Sequence, residues 1–181
     1  MPQVPLVNPA DADPRARQAL EQINGAFGVV PNMFKAVSNS PAALASMWGS
    51  FAALGGGTLG ARLGEDLAVA IANVNNCEYC LAAHTALGRK AGATSAEMAE
   101  AQVGRSDDPR TQAALTFAIK VVRARAAVND ADVAALRQAG FSDEEIVEIV
   151  AHVALNLFTN YVNVALGVPV DFPRVALKPA A

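Results

Sequence analysis

The chain has 181 residues, with 14 Lys and Arg against 17 Asp and Glu, a formal net charge of -3. That balance excludes the basic face that nucleic-acid binding needs. The acidic runs Asp107-Asp108 and Asp143-Glu144-Glu145 are too short to be interaction tails.

The length suits one domain, taken as 1–181, with a sizeable core. Charged residues make up 17% of the chain, against roughly 25% in an average soluble domain. A homo-oligomer that covers apolar surface is therefore expected, although an alanine-rich helical domain would show the same deficit. Residues 1–13 lack the basic and apolar regions of a secretory signal. No run reaches the roughly 18 apolar residues of a membrane span; the stretch from Ile146 to Phe158 is broken by Glu148, His152 and Asn156. The expected setting is the cytoplasm, with no membrane partner, where thiols stay reduced.

In chain order the punctuation is helical throughout, and an all-α fold is expected. Asp13-Pro14 is a cap followed by proline, and Leu20, Ile23 and Phe27 recur at helical spacing, so a helix is placed over 13–27. A short helix over 31–38 follows, then Ser40-Pro41 opens one over 41–54. Met47, Trp48 and Phe51 on it read as core. Gly55-Gly56-Gly57 reads as a flexible hinge, too short for a domain linker. It separates N-terminal helices (1–57) from a cysteine-bearing core (58–104), with C-terminal helices beyond (105–181). Helices over 60–74 and 77–91 follow, the second stopped by Gly92 after Arg89 and Lys90. Thr94-x-x-Glu97 is a capping box for 95–102, and Asp108-Pro109 starts 109–127. A helix over 130–139 is closed by Gly140, and Ser142-x-x-Glu145 caps 143–166. No period-2 strand or hairpin signal occurs. The tail from Gly167 to Ala181 is expected to run extended over the surface.

The chemistry concentrates at Asn75-Asn76-Cys77-Glu78-Tyr79-Cys80, which leads to His84. Two asparagines favour a turn, so the helix should open at or just before Cys77. Both sulfurs then lie in its first turn, where orphan N–H groups and the dipole stabilise a thiolate. Cys77 and Cys80 are i, i+3, and Cys80 and His84 are i, i+4, so all three share one face. His84 can move a proton, and the two thiols can close a disulfide after one is oxidised. If Asn75-Asn76 turn an αα-hairpin, Glu65 comes level with His84 and can orient it. Alternatively, Glu65 only complements its own helix start from solvent. For the attacking thiol, position nearest the helix start favours Cys77, whereas a base one turn away favours Cys80.

These residues carry a family resemblance. Glu65, eleven residues, then Cys77-x-Tyr79-Cys80-x-x-x-His84 resembles the core of the AhpD-like alkylhydroperoxidases, within the carboxymuconolactone decarboxylase superfamily. Ala82-Ala83-His84 with Arg89-Lys90-Ala91-Gly92 is similar too. Asn160-Tyr161 through Asp171-Phe172-Pro173 resembles the tail of the peroxidase-related branch more loosely. The resemblance implies an AhpD-like helical bundle with the CxxC motif at a helix N-terminus. It also implies trimers or hexamers and reduction of a hydroperoxide substrate without a cofactor. Cys80 would attack, Cys77 resolve, and Glu65 and His84 relay protons. A dithiol reductant, such as a lipoyl-bearing adaptor, would be the electron-supplying partner. Tyr79 departs from the best-known branch, which has a second histidine there. A phenol with a pKa of about 10 relays protons poorly near neutrality.

Rival readings stay open on the sequence. Cys77, Cys80 and His84 could ligate zinc, with Glu65 or water as the fourth ligand, but no second Cys or His pair supplies the usual separate segment. A thioredoxin-like disulfide oxidoreductase needs a βαβ setting. A decarboxylase or lactone-processing role needs no thiol pair, and a non-catalytic helical oligomer leaves the motif to chance. His152, Asn156, Asn160 and Asn163 form a polar stripe on one helix. It reads first as a hydrogen-bonded seam in the core or at a subunit contact, and second as a wall of the active-site pocket.

Overall fold

Side-chain caps and first-turn prolines start most of the helices. In the computed structural model, which describes residues 2–179, a 3-10 turn Pro9–Asp11 precedes nine α-helices, and no strand occurs among the described residues. The helices are α1 Pro14–Phe27, α2 Asn32–Val37, α3 Pro41–Gly55, α4 Gly60–Val74, α5 Glu78–Lys90, α6 Ser95–Ala101, α7 Pro109–Arg123, α8 Asp130–Gln138 and α9 Asp143–Ala165. Asp13, Ser40 and Asp108 cap helices with proline in the first turn. Thr94 and Ser142 complete the expected capping boxes, and Asn129 with Asp132 adds one the sequence reading passed over.

α4 is the centre of the bundle. Every residue from Asp66 to Asn73 is buried, because the helix is apolar on all sides and must be surrounded. It packs against α5, α6, α7 and α9. No helix among the described residues is long and apolar enough to cross a membrane.

Two local expectations need correction. The helix expected to reach residue 127 ends at Arg123, and Arg125 and Ala126 turn the chain at φ 51° and 64°. The triple glycine is a pinned turn rather than a free hinge. Gly55 ends α3, and the Glu148 carboxylate of α9 accepts the Thr58 N–H at 2.8 Å, its hydroxyl at 3.0 Å and the Leu59 N–H at 3.2 Å. A Cβ at Gly57 would stand 2.7 Å from a Glu148 oxygen, so a larger residue there would push the carboxylate aside. As expected, Met47 is fully buried core and Trp48 and Phe51 pack against it as partly buried side chains, Phe51 also walling a small cavity. Trp48 is partly exposed and donates its indole N–H to Gln22 at 2.8 Å.

The chain beyond α9 does run without regular structure, but it is tied down. The Asn32 N–H donates to Asp171 at 2.7 Å, Gln102 donates to the Ala176 carbonyl at 2.9 Å, and the Lys178 N–H donates to Asn73 Oδ1 at 2.9 Å. Ala180 and Ala181, the end of the expected tail, lie outside the described residues.

Candidate active site

The α4–α5 hairpin builds the site. Asn76 takes φ 53°, a left-handed turn that asparagine tolerates, and the Cys77 N–H closes back on the Ala72 carbonyl at 2.9 Å. Cys77 then occupies the N-cap of α5, its sulfur standing where an oxygen usually does. It accepts the Cys80 N–H at 3.2 Å. The two sulfurs are 2.6 Å apart; a disulfide bond of about 2.05 Å needs only a small further approach.

Both cysteines are buried, at 1% and 2% exposure, yet they differ in surroundings. Cys80 faces a small cavity of about 40 Å³, lined by Phe27, Phe34, Phe51, Leu87 and Phe172 and reached by His84. Cys77 lies behind it. The Cys80 thiol hydrogen-bonds the Cys77 sulfur and pulls its pKa down against the cost of burial, aided by the Cys80 N–H and the charge of His84. Burial pushes the Cys80 thiol up, and so does the Cys77 charge. Asn163 and Asn160 oppose that rise. The surroundings thus favour charge on Cys77 more than on Cys80.

His84 Nδ1 lies 2.8 Å from Glu65 Oε2, with both side chains largely covered. Burial disfavours the imidazolium, but the Glu65 charge and hydrogen bond, together with Cys77, outweigh it and raise the His84 pKa. Gly88, one turn beyond His84, lets α5 close on α4 and α6. A Cβ there would meet Met98 Sδ at 2.5 Å and Glu65 Cβ at 3.4 Å. Nothing in the sequence marked this glycine except its place four residues after His84.

Tyr79 is a pin. Its hydroxyl accepts the Met33 N–H at 3.2 Å, and burial, with the Asp171 carboxylate nearby, lifts its pKa well above the ordinary phenol value. Its ring meets Phe172 edge-on at 5.8 Å. The asparagine stripe reaches the site: Asn160 and Asn163 are buried, and Asn163 Nδ2 lies 3.1 Å from Cys80 Sγ. His152 is partly exposed, with its ring against Gly64, and burial lowers its pKa. Among the described residues no group of three His, Cys, Asp or Glu is placed to hold a metal ion.

The model of the carboxymuconolactone decarboxylase family matches residues 41–124, which include Glu65, Cys77, Cys80 and His84. An alkylhydroperoxidase AhpD core structure, an uncharacterized peroxidase-related protein from Ralstonia eutropha JMP134, superposes with a TM-score of 0.84 at 30% identity, over 94% of this chain and 92% of that one. The chain belongs to the AhpD-like carboxymuconolactone decarboxylase superfamily. A peroxidase-related protein from Silicibacter sp. TM1040 gives a TM-score of 0.79 at 27% identity, over 97% of this chain and 93% of that one. The fold extends further, to a variant of the debrominase Bmp8 in complex with 2,3,4-tribromopyrrole. There the TM-score is 0.80 at 20% identity, over 93% of this chain and 91% of that one. Comparison with curated proteins gave no match. AhpD-like membership thus accounts for the all-helical bundle.

Proposed function

We propose that this chain is a thiol-dependent reductase of organic hydroperoxides that cycles Cys77 and Cys80 between dithiol and disulfide. The observation that carries the reading is the joint placement of Cys80 and His84 on one apolar cavity. The Cys77 sulfur stands 2.6 Å behind Cys80, and Glu65 lies 2.8 Å behind His84.

In the first step the Cys80 thiolate attacks the terminal peroxide oxygen. An S–O bond forms, the O–O bond breaks, and the leaving alkoxide takes a proton from His84, leaving an alcohol and a sulfenic acid. Glu65 holds the imidazole in place and stabilises its charged form. In the second step Cys77 attacks the Cys80 sulfur. The sulfenic oxygen leaves as water, and a disulfide results. An external dithiol returns both cysteines to thiols and is itself oxidised; a lipoyl-bearing adaptor is the reductant proposed. The apolar lining favours an organic peroxide over hydrogen peroxide, because burying apolar surface adds to binding, and at about 40 Å³ the cavity has to widen to admit one. The resting dithiol suits the reducing cytoplasm, and the working form is proposed to be a homo-trimer or hexamer.

A stoichiometric pulse of an organic hydroperoxide, followed by thiol titration, tests this reading. The expected result is loss of two thiols per chain with one equivalent of alcohol. Unchanged thiols would return the protein to a non-peroxidase role.

A further inference from the structure

We infer that Asn163 is a further catalytic residue: its side-chain amide donates to Cys80 Sγ and holds negative charge on the sulfur that attacks. This rests on the proposed role of Cys80 above. The amide is 3.1 Å from that sulfur in a residue only 3% exposed. Its Oδ1 is buried and has no hydrogen-bond partner among the described residues. A buried amide with an orphaned carbonyl works against folding, and an apolar side chain of similar size would remove that cost. Stability therefore does not explain an asparagine here, whereas the bond to sulfur does.

The neighbouring amide is arranged to help. Asn160, fully buried and one turn earlier on α9, has its Oδ1 held by Asn75 Nδ2 at 2.9 Å. That fixes which way its amide points, and it favours charge on Cys80 in the same direction as Asn163. Asn75 sits at the end of α4, two residues before Cys77, so the turn that builds the thiol pair also orients this donor.

The need for donors follows from the sulfur pair. Of the two sulfurs only Cys80 lines the cavity, and burial and the neighbouring Cys77 sulfur both disfavour charge there. Attack requires Cys80 to be the thiolate; when Cys77 carries the charge instead, the proton passes from Cys80 to Cys77 across 2.6 Å. No electron moves in this exchange and the pair keeps the same net charge. Preorganised N–H donors at the sulfur that becomes charged make it less uphill. The other ionisable groups around the sulfurs are His84 on α5 with Glu65 on α4 behind it, the Tyr79 phenol with Asp171 beyond it, and His152 further along α9. None of these donates to Cys80 Sγ.

The test is the titration of Cys80 in a Cys77→Ser background, read from the pH dependence of iodoacetamide alkylation with and without Asn163→Leu. The expected result is a thiol pKa raised by about 1 to 2 units and alkylation at neutral pH slowed about 10-fold or more. The melting temperature should stay level or rise. Asn163→Ser, which keeps a donor, should recover part of the shift. Asn163→Asp, the same shape without an N–H donor, should raise the pKa at least as far, which keeps the test open if the leucine variant fails to fold. An unchanged thiol pKa in the folded variants, or a fall in melting temperature with unchanged alkylation, overturns the inference. The readout uses no peroxide, so failure of the peroxidase reading would show instead as normal thiol tuning without peroxide turnover.

Discussion

In the proposed cycle His84 keeps a proton available in a largely dry position, and Glu65 reconciles those demands. Without the carboxylate, burial alone would push the imidazole toward neutrality. Glu65→Gln should therefore keep the fold and lower peroxide turnover about 10- to 100-fold; steady-state rates at fixed peroxide check it, and unchanged turnover would leave Glu65 a bystander. The pairing also has a pH signature. His84 has a folded pKa raised above 6.5, so its contribution to stability is full below 6.5 and is lost as pH rises through the folded value. Wild type should exceed Glu65→Gln in stability at about pH 6, and the gap should shrink toward alkaline pH. Denaturant melts across that window check the sign. Glu65, Cys77, Cys80 and His84 were legible because helical spacing and one tight turn bring them together. Asn163 was legible only as part of a stripe, since its partner Cys80 lies 83 residues earlier and nothing local announces that contact.

At the level of elements, caps told more than composition did. Proline starts and capping boxes placed the helices within a few residues of their observed ends, because each satisfies orphan N–H groups locally. The misreadings came from tertiary contacts. The glycines before α4 suggested freedom, but Glu148, arriving from α9, supplies the cap that α4 lacks from its own N-cap residue, Leu59. Glu148→Ala should cost about 1 to 2 kcal/mol of stability, the usual loss for a capping interaction. A thermal or urea melt checks it, and an unchanged midpoint would mean that the turn holds itself. Likewise, α7 stops at Arg123 although alanines follow: Arg125 and Ala126 enter left-handed conformations to bring the chain round to α8, which helix propensity does not register.

For the whole molecule, the low charge content finds a location on α9. Val147, Val150, Tyr161 and Val164 are all large and exposed there, and their spacing places them along one outward face. Covering that stripe with further copies of the chain is the predicted reason for assembly. Light scattering should give a mass well above the 18.7 kDa of one chain, in steps of a trimer or hexamer, and a mass near one chain would contradict this. The bundle, in turn, holds α9 against the α4–α5 hairpin, so that Asn163 meets the pocket-facing sulfur. The claim that depends on all of this is that Cys80 attacks and Cys77 resolves. The direct measurement is dimedone trapping with peptide mass spectrometry after one equivalent of hydroperoxide, made on Cys77→Ser and Cys80→Ser. The account predicts a sulfenic acid label on Cys80 in Cys77→Ser and no fast reaction in Cys80→Ser. A label on Cys77 in Cys80→Ser, formed as fast as the wild-type reaction, would contradict it.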